Sequence, residues 1–287
     1  MLISEAFRSY TADVIAMKNQ SRKTEENHYV CMRALIVFFG DVPIESLTFP
    51  MIRDWKIALE NGRSSETVRN YIIKLRVVLE YCYQFGIPVL NPEKIPVPQR
   101  RDKVPEFVTQ AEVAQLIQGT DTPRSRVINR LRNKAIISIL YASGIRVSEL
   151  CSLNRGCIIE GSFTVVGKGG KARLCFVDSR TQWYIDEYLR MRTDNEPALF
   201  ITDNGHQRIT PGMVQEIFKN VRKRAGFTKP IHPHTMRHSF ATNLMRNGMH
   251  IYGVSRLLGH ASIQTTSAYL HVTDVNLQND YQKYHTI

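Results

Sequence analysis

The sequence predicts a mainly α-helical fold with one small β-hairpin, divided between two domains. Three observations predict it. Apolar residues recur at helical spacing over most of the chain. One stretch reads as a hairpin instead: Phe163, Val165 and Val166 lead into Gly167-Lys168-Gly169-Gly170-Lys171, and Leu174, Phe176 and Val177 lead out. Pro88, Pro92, Pro96, Pro98 and Pro105 crowd one segment, where missing donors and fixed φ angles rule out a helix. A length of 287 residues also fits about two domains at roughly 150 residues each.

Residues 1–90 read as a four-helix domain. The first helix covers about residues 3–18. The second carries Tyr29, Met32, Leu35, Ile36 and Phe39 at helical spacing. Thr48 and Pro50 start the third, followed by Ile52, Trp55 and Leu59. Ser64 and Ser65 precede Val68, Tyr71, Ile72, Leu75, Val78, Leu79 and Cys82 in the fourth, and Gly86 stops it. These stripes are core, and no catalytic cluster stands among them. Residues 91–105, with Arg100, Arg101 and Lys103, read as an extended basic linker.

Residues 106–287 form the second domain. Thr109 and Glu112 make a capping box before Val113, Leu116 and Ile117. Residues 128–142 give a long helix ending at Gly144, and the hairpin follows. Helices then cover about residues 179–192, 211–225, 234–247, 250–258 and 262–271.

Composition narrows the class. Hydrophobic residues at 43% argue against wholesale disorder. Lys and Arg outnumber Asp and Glu by 38 to 26, which suits a polyanionic partner and equally a basic soluble protein. Residues 1–100 carry a net charge of +2 and residues 101–287 a net of +10, so the stronger field belongs to the second domain. The five cysteines are odd in number and lack a C-x-x-C pair, which argues for reduced thiols and against a disulfide framework or zinc site. Without a secretory leader or an apolar run of membrane-spanning length, the expected location is the cytoplasm.

Four segments carry chemistry. In His232-Pro233-His234-Thr235-Met236-Arg237-His238, a helix starting near His234 puts His234 and Arg237 on one face at its N-terminal end. Free backbone N–H groups there favour an anion, so the group reads as a phosphate clamp or as scattered surface polarity. Zinc ranks low, because no Glu or Cys completes a ligand set. In the second segment Arg146 follows Gly144 between apolar Ile145 and Val147. Burial there calls for an anion, either Glu149 in a structural ion pair or a phosphate with Glu149 orienting the guanidinium. Lys168, at the glycine-flanked hairpin tip, reads locally as a solvated turn lysine or as a donor reaching into a DNA groove. Leu258-Gly259-His260 places His260 in a loop, with Ser262 capping a helix whose end carries Tyr269.

Taken together and in this order, the segments resemble the tyrosine recombinase (phage integrase) family, particularly its small Xer-type members. The Arg146 segment resembles the family's first arginine box. His234-Thr-Met-Arg237-His238 resembles its H-x-x-R box. Leu258-Gly259-His260, with Tyr269 nine residues later, resembles its L-G-H…Y ending, and Lys168 matches its hairpin lysine. The resemblance covers essentially the whole chain. It implies a SAM-like four-helix core-binding domain over residues 1–90 and a mixed α/β tyrosine-recombinase catalytic domain over residues 106–287.

The same resemblance implies roles. Tyr269 is the nucleophile that forms a 3′-phosphotyrosine. Arg146 and Arg237 neutralise the phosphate oxygens, Lys168 is the general acid, and His234 is the base or proton shuttle. His260 bonds the phosphate. Neither ATP nor a metal is required, and no cofactor is expected. The partners implied are double-stranded DNA with a specific site, clamped between the two domains, and a homo- or heterotetramer on that DNA. A second recombinase could complete the tetramer, with residues 270–287 as a docking tail between subunits. Two other readings stand beside this one. A type IB topoisomerase would relax DNA with similar chemistry, and a non-catalytic architectural protein would only bind it. The sequence names neither the DNA site nor the biological task, whether chromosome-dimer resolution or integration and excision of a mobile element. Cis and trans action of Tyr269 are equally open.

Overall fold

The computed structural model describes residues 1–15, 17, 22–99, 106–167, 170–204 and 207–259. The chain divides into two compact units, Met1–Lys103 and Val104–Ile287.

The first unit is helical. Helix α1 (Ile3–Tyr10) opens with the Leu2 amide donating to Glu5 Oε2 at 2.8 Å. The sequence predicts one helix to about residue 18, but the α-helix stops at Tyr10 and passes into a π-helical turn, Thr11–Ile15. At that junction the Thr11 hydroxyl donates to the Arg8 carbonyl at 2.8 Å, a local side-chain bond of the kind that competes with regular helix. Helix α2 (Arg22–Phe39) buries His28, Cys31 and Leu35. Its buried stripe is thus rotated by about one residue from the predicted one, leaving Tyr29, Met32, Ile36 and Phe39 on its half-buried flanks. Helix α3 (Phe49–Glu60) starts at Thr48 with Pro50 in its first turn, and helix α4 (Ser65–Gln84) starts at Ser64, whose hydroxyl accepts from the Thr67 amide. Phe7, Leu35, Trp55, Leu75 and Leu79 fill the centre of this unit.

The proline-rich segment departs from the extended linker predicted for it. Val89 and Ile95 are buried in the same core. Pro92–Lys94 makes a short 3-10 turn capped by Asn91, and Arg69 Nε donates to the Pro98 carbonyl at 3.1 Å. The segment is packed through residue 98 because its apolar side chains have a core to enter, while its prolines need no ladder partner. Arg100, Arg101 and Lys103 lie outside the described residues.

The second unit is built around helix α6 (Val127–Ser143), which packs between helices α8 (Ser179–Arg190) and α10 (Pro233–Arg246). Helix α5 (Gln110–Gln118) begins with the Thr109–Glu112 capping box read from the sequence. The six-residue helix α7 (Val147–Ser152) was not predicted. It leads to a tight turn at Glu160 and Gly161, both with positive φ, closed by paired bonds between Ile159 and Ser162. Strands β1 (Ser162–Val166) and β2 (Ala172–Phe176) form the antiparallel hairpin, with Phe163 opposite Cys175 and Val165 opposite Arg173. Phe163, Val165 and Cys175 face the core, whereas Val166, Leu174 and Phe176 face outward. Helix α9 (Pro211–Arg224) completes the main core with Val214, Phe218 and Val221. Helix α11 (Ile251–Leu258) packs Val254 and Leu258 on Ala241 and Met245 of α10. Among the described residues, no helix is long and apolar enough to cross a membrane. The predicted helix over residues 262–271 lies outside the described residues.

Candidate active site

The site begins where α6 ends. Gly144 closes that helix in the left-handed region, at φ 62°. A Cβ there would stand 2.3 Å from the Phe240 ring, so the position needs glycine for both conformation and space. The turn that follows delivers Arg146 in extended conformation as the N-cap of α7.

Glu149, one turn into α7, holds that arginine. Its Oε2 accepts from the Arg146 amide at 2.7 Å, and its Oε1 accepts from the Arg146 guanidinium at 2.9 Å. Glu149 is only 5% exposed, while the Arg146 side chain keeps 33% of its surface open. Both sequence readings of Glu149 are therefore combined in one geometry: an ion pair that leaves one side of Arg146 accessible. Burial alone would raise the Glu149 carboxyl. Hydrogen bonds from Arg173 and from the Arg146 backbone outweigh it and hold the group down to about 2.

Arg173, on β2, is the residue that sequence reasoning missed. Its two Nη atoms donate to the two Glu149 oxygens at 2.9 and 2.6 Å, and its Nε donates to the Leu257 carbonyl at 3.0 Å. A signal for it existed. Arg173 lies two residues before the inward Cys175, so strand alternation turns it toward the core, where a guanidinium requires an acid.

Helix α10 supplies the second arginine. It begins at Pro233, one residue before the predicted start, with His232 as N-cap accepting from the Thr235 amide through Nδ1. Arg237 is 4% exposed. It donates to the Gly144 carbonyl and the Leu258 carbonyl, each at 2.7 Å, and so ties the end of α6 to the end of α11. Gly259 then caps α11 at φ 64°, with Arg173 Cδ only 2.8 Å from where its Cβ would be.

His234 shares the neighbourhood of both arginines. Partial desolvation lowers its imidazole from the ordinary range although the ring keeps solvent contact, and the charges of Arg237, His232 and Arg146 push the same way. His238, half-buried with its ring 6.0 Å from that of His234, is lowered to about 4 by desolvation and then by His234, His232 and Arg237. Near pH 7 these rings are neutral and able to accept a proton.

Of the six predicted site residues, the structure brings Arg146, His234 and Arg237 together. Lys168, His260 and Tyr269 lie outside the described residues. Their neighbours in sequence are placed: Gly167 stands at the root of the hairpin beside Arg173 and Glu149, and Gly259 ends α11 beside Arg173.

Arg237 thus reaches the Gly144 turn that delivers Arg146, and His234 stands in the field of both charges. Residues 106–275 match the phage integrase family. The chain is 34% identical over 282 residues to a tyrosine recombinase of Thermosipho africanus, covering 95% of each. It is 35% identical over 236 residues to the tyrosine recombinase XerD of Oceanobacillus iheyensis, covering 79% of this chain and 78% of that one. Its fold resembles that of the Tn1549 transposon integrase in complex with circular intermediate DNA, with a TM-score of 0.77 and 20% identity over 94% of this chain and 95% of that one. The chain belongs to the phage integrase family of tyrosine recombinases, a class of enzymes that break and rejoin DNA.

Proposed function

We propose that this chain is a site-specific recombinase that cleaves duplex DNA through Tyr269 and rejoins it without a cofactor. The observation that carries the reading is the pairing of Arg146 and Arg237 around the Gly144 turn, with His234 in the field of both. In the proposed step the Tyr269 phenol oxygen attacks the scissile phosphorus in line. A 3′-phosphotyrosyl bond forms and the bond to the 5′-oxygen breaks; a new 5′-hydroxyl then attacks the phosphotyrosine, restoring a phosphodiester and releasing the Tyr269 phenol. Arg146 and Arg237 neutralise the non-bridging oxygens. His234 receives the phenolic proton. Lys168 protonates the departing 5′-oxygen, and His260 donates to the phosphate.

The expected partner is double-stranded DNA carrying a defined site, bound by four subunits of this chain or by this chain with a second recombinase, in the cytoplasm. Residues 270–287 would dock between subunits. Similar structures include DNA complexes of a transposon integrase and of XerH, and a lambda integrase dimer bound to a core site. A catalytic domain beginning at residue 106 is part of the same reading, joined to the first unit by the residues after Pro98.

Sequencing DNA recovered from covalent adducts in cells that express the protein tests this. Adducts clustered at one sequence class are expected. Scattered adducts would favour topoisomerase-like relaxation, and DNA binding without adducts would favour an architectural protein.

A further inference from the structure

We propose that Arg173 is a positioning residue of the cleavage site, one that locks together three segments carrying catalytic groups. This rests on the recombinase reading above. The first segment is the Arg146 turn. Arg173 and Arg146 share the Glu149 carboxylate, which accepts both Arg173 Nη atoms, the Arg146 guanidinium and the Arg146 amide. The second is the hairpin that carries Lys168. A Cβ on Gly167 would stand 3.5 Å from Arg173 Nη1 and 3.8 Å from Glu149 Oε1, so the hairpin root abuts the ion pair. The third is the end of α11, which leads into His260. There Arg173 Nε donates to the Leu257 carbonyl, and Gly259 closes over the Arg173 stem.

The chemistry of the side chain explains why one residue can do this. A guanidinium presents donors in a flat fork, so two can grip a carboxylate while Nε points elsewhere. Lysine offers a single point charge and cannot meet both carboxylate oxygens and a carbonyl on a third segment at once. The Arg173 side chain is 8% exposed and Glu149 5%, so the bridge is shielded from solvent and its geometry is well defined. Arg173 itself contacts no substrate in this account. It acts by fixing Arg146, Gly167 and Gly259, the described positions from which the three segments continue.

The experiment compares Arg173→Lys, Glu149→Gln and the double variant in the full chain. It uses a nicked suicide duplex carrying the site recovered from covalent adducts. The first-order rate of adduct formation at saturating DNA is measured beside the Kd for intact duplex, below each variant's melting temperature. Arg173→Lys should slow adduct formation roughly 10- to 100-fold with Kd changed by about twofold or less, and the double variant should be no slower than the slower single one. An unchanged rate, a Kd loss that accounts for the whole effect, or rate losses that multiply in the double variant would each overturn the proposal. Should Arg173→Lys fail to fold, Arg173→Gln, which retains an Nε2 donor, replaces it under the same criteria. Wild-type protein that forms no adduct would instead count against the recombinase reading itself, so the two failures are distinguishable.

Discussion

The two units solve the problem of a buried polar group differently. Among the described residues of the first unit, the buried polar side chains are Ser4, Thr11 and His28, with no buried Asp, Glu, Lys or Arg. The second unit buries Arg132, Arg192, Arg237 and Glu149. The difference follows the backbone. In the first unit, regular helices satisfy most interior carbonyls themselves. The second brings irregular segments inside, and their carbonyls need donors. Arginine forks supply them: Arg132 to Ile201, Arg192 to Ala198 and Leu199, Arg208 to Cys151 and Leu153, and Arg237 to Gly144 and Leu258. A buried arginine in this fold is first a structural brace. Arg237 is such a brace, buried and bound to two carbonyls, whereas Arg146 is one-third open and anchored from one side.

That contrast can be broken or sharpened in order of effect. Arg146→Ala should slow DNA cleavage by about 100- to 1000-fold while moving the melting temperature little. A large loss of stability with cleavage intact would reverse its assignment. Arg237→Ala should do both, slowing cleavage to a similar degree and destabilising the second unit by about 1–3 kcal/mol for each buried carbonyl left without a donor. In the first unit, Leu75→Ala should cost about 2–5 kcal/mol and leave the cleavage rate of the folded protein unchanged. The two tryptophans separate these effects. Trp55 is buried in the first unit and Trp183 lies in the second, so Trp183→Phe and Trp55→Phe backgrounds report on each unit in turn.

The smallest effect is a pH dependence. His28 is buried with its ring 5.0 Å from that of Tyr10, and burial, with repulsion from Lys74, lowers it to about 4. The folded unit keeps this ring neutral, while the unfolded chain protonates it near the ordinary value of 6.5. Between those values the unfolded state holds more protons, so stability falls as pH falls through the window, by at most about 1.4 kcal/mol per pH unit. His28→Gln should flatten the acid slope read by Trp55 fluorescence. An equally steep slope in that variant would assign the effect elsewhere.

Much of this was legible in the residues. Helix starts at Thr48, Ser64 and Thr109 could be read because caps are local chemistry, and Gly144 announced the end of α6. The buried face of α2 was off by a residue because its centre is His28 and Cys31, which a scan for large apolar side chains passes over. The packing of Val89 and Ile95 was hidden by the prolines around them. At the site, the carriers of Arg146 and Arg237 were legible as motifs. Arg173 was not, since its meaning depends on a strand register and on a helix end 84 residues away. Nor could sequence show that Arg237 braces two helix ends, because both of its partners are backbone carbonyls and carbonyls leave no mark on a sequence.

The most direct test of the account is to identify the amino acid that holds the DNA. Wild-type protein is allowed to form its covalent adduct, the DNA is trimmed by nuclease, and the modified peptide is sequenced by mass spectrometry. A 3′-phosphonucleotide on the phenol of Tyr269, absent from Tyr269→Phe, is the expected result. The same adduct yield from Tyr269→Phe, or a nucleotide found on any other side chain, would contradict it.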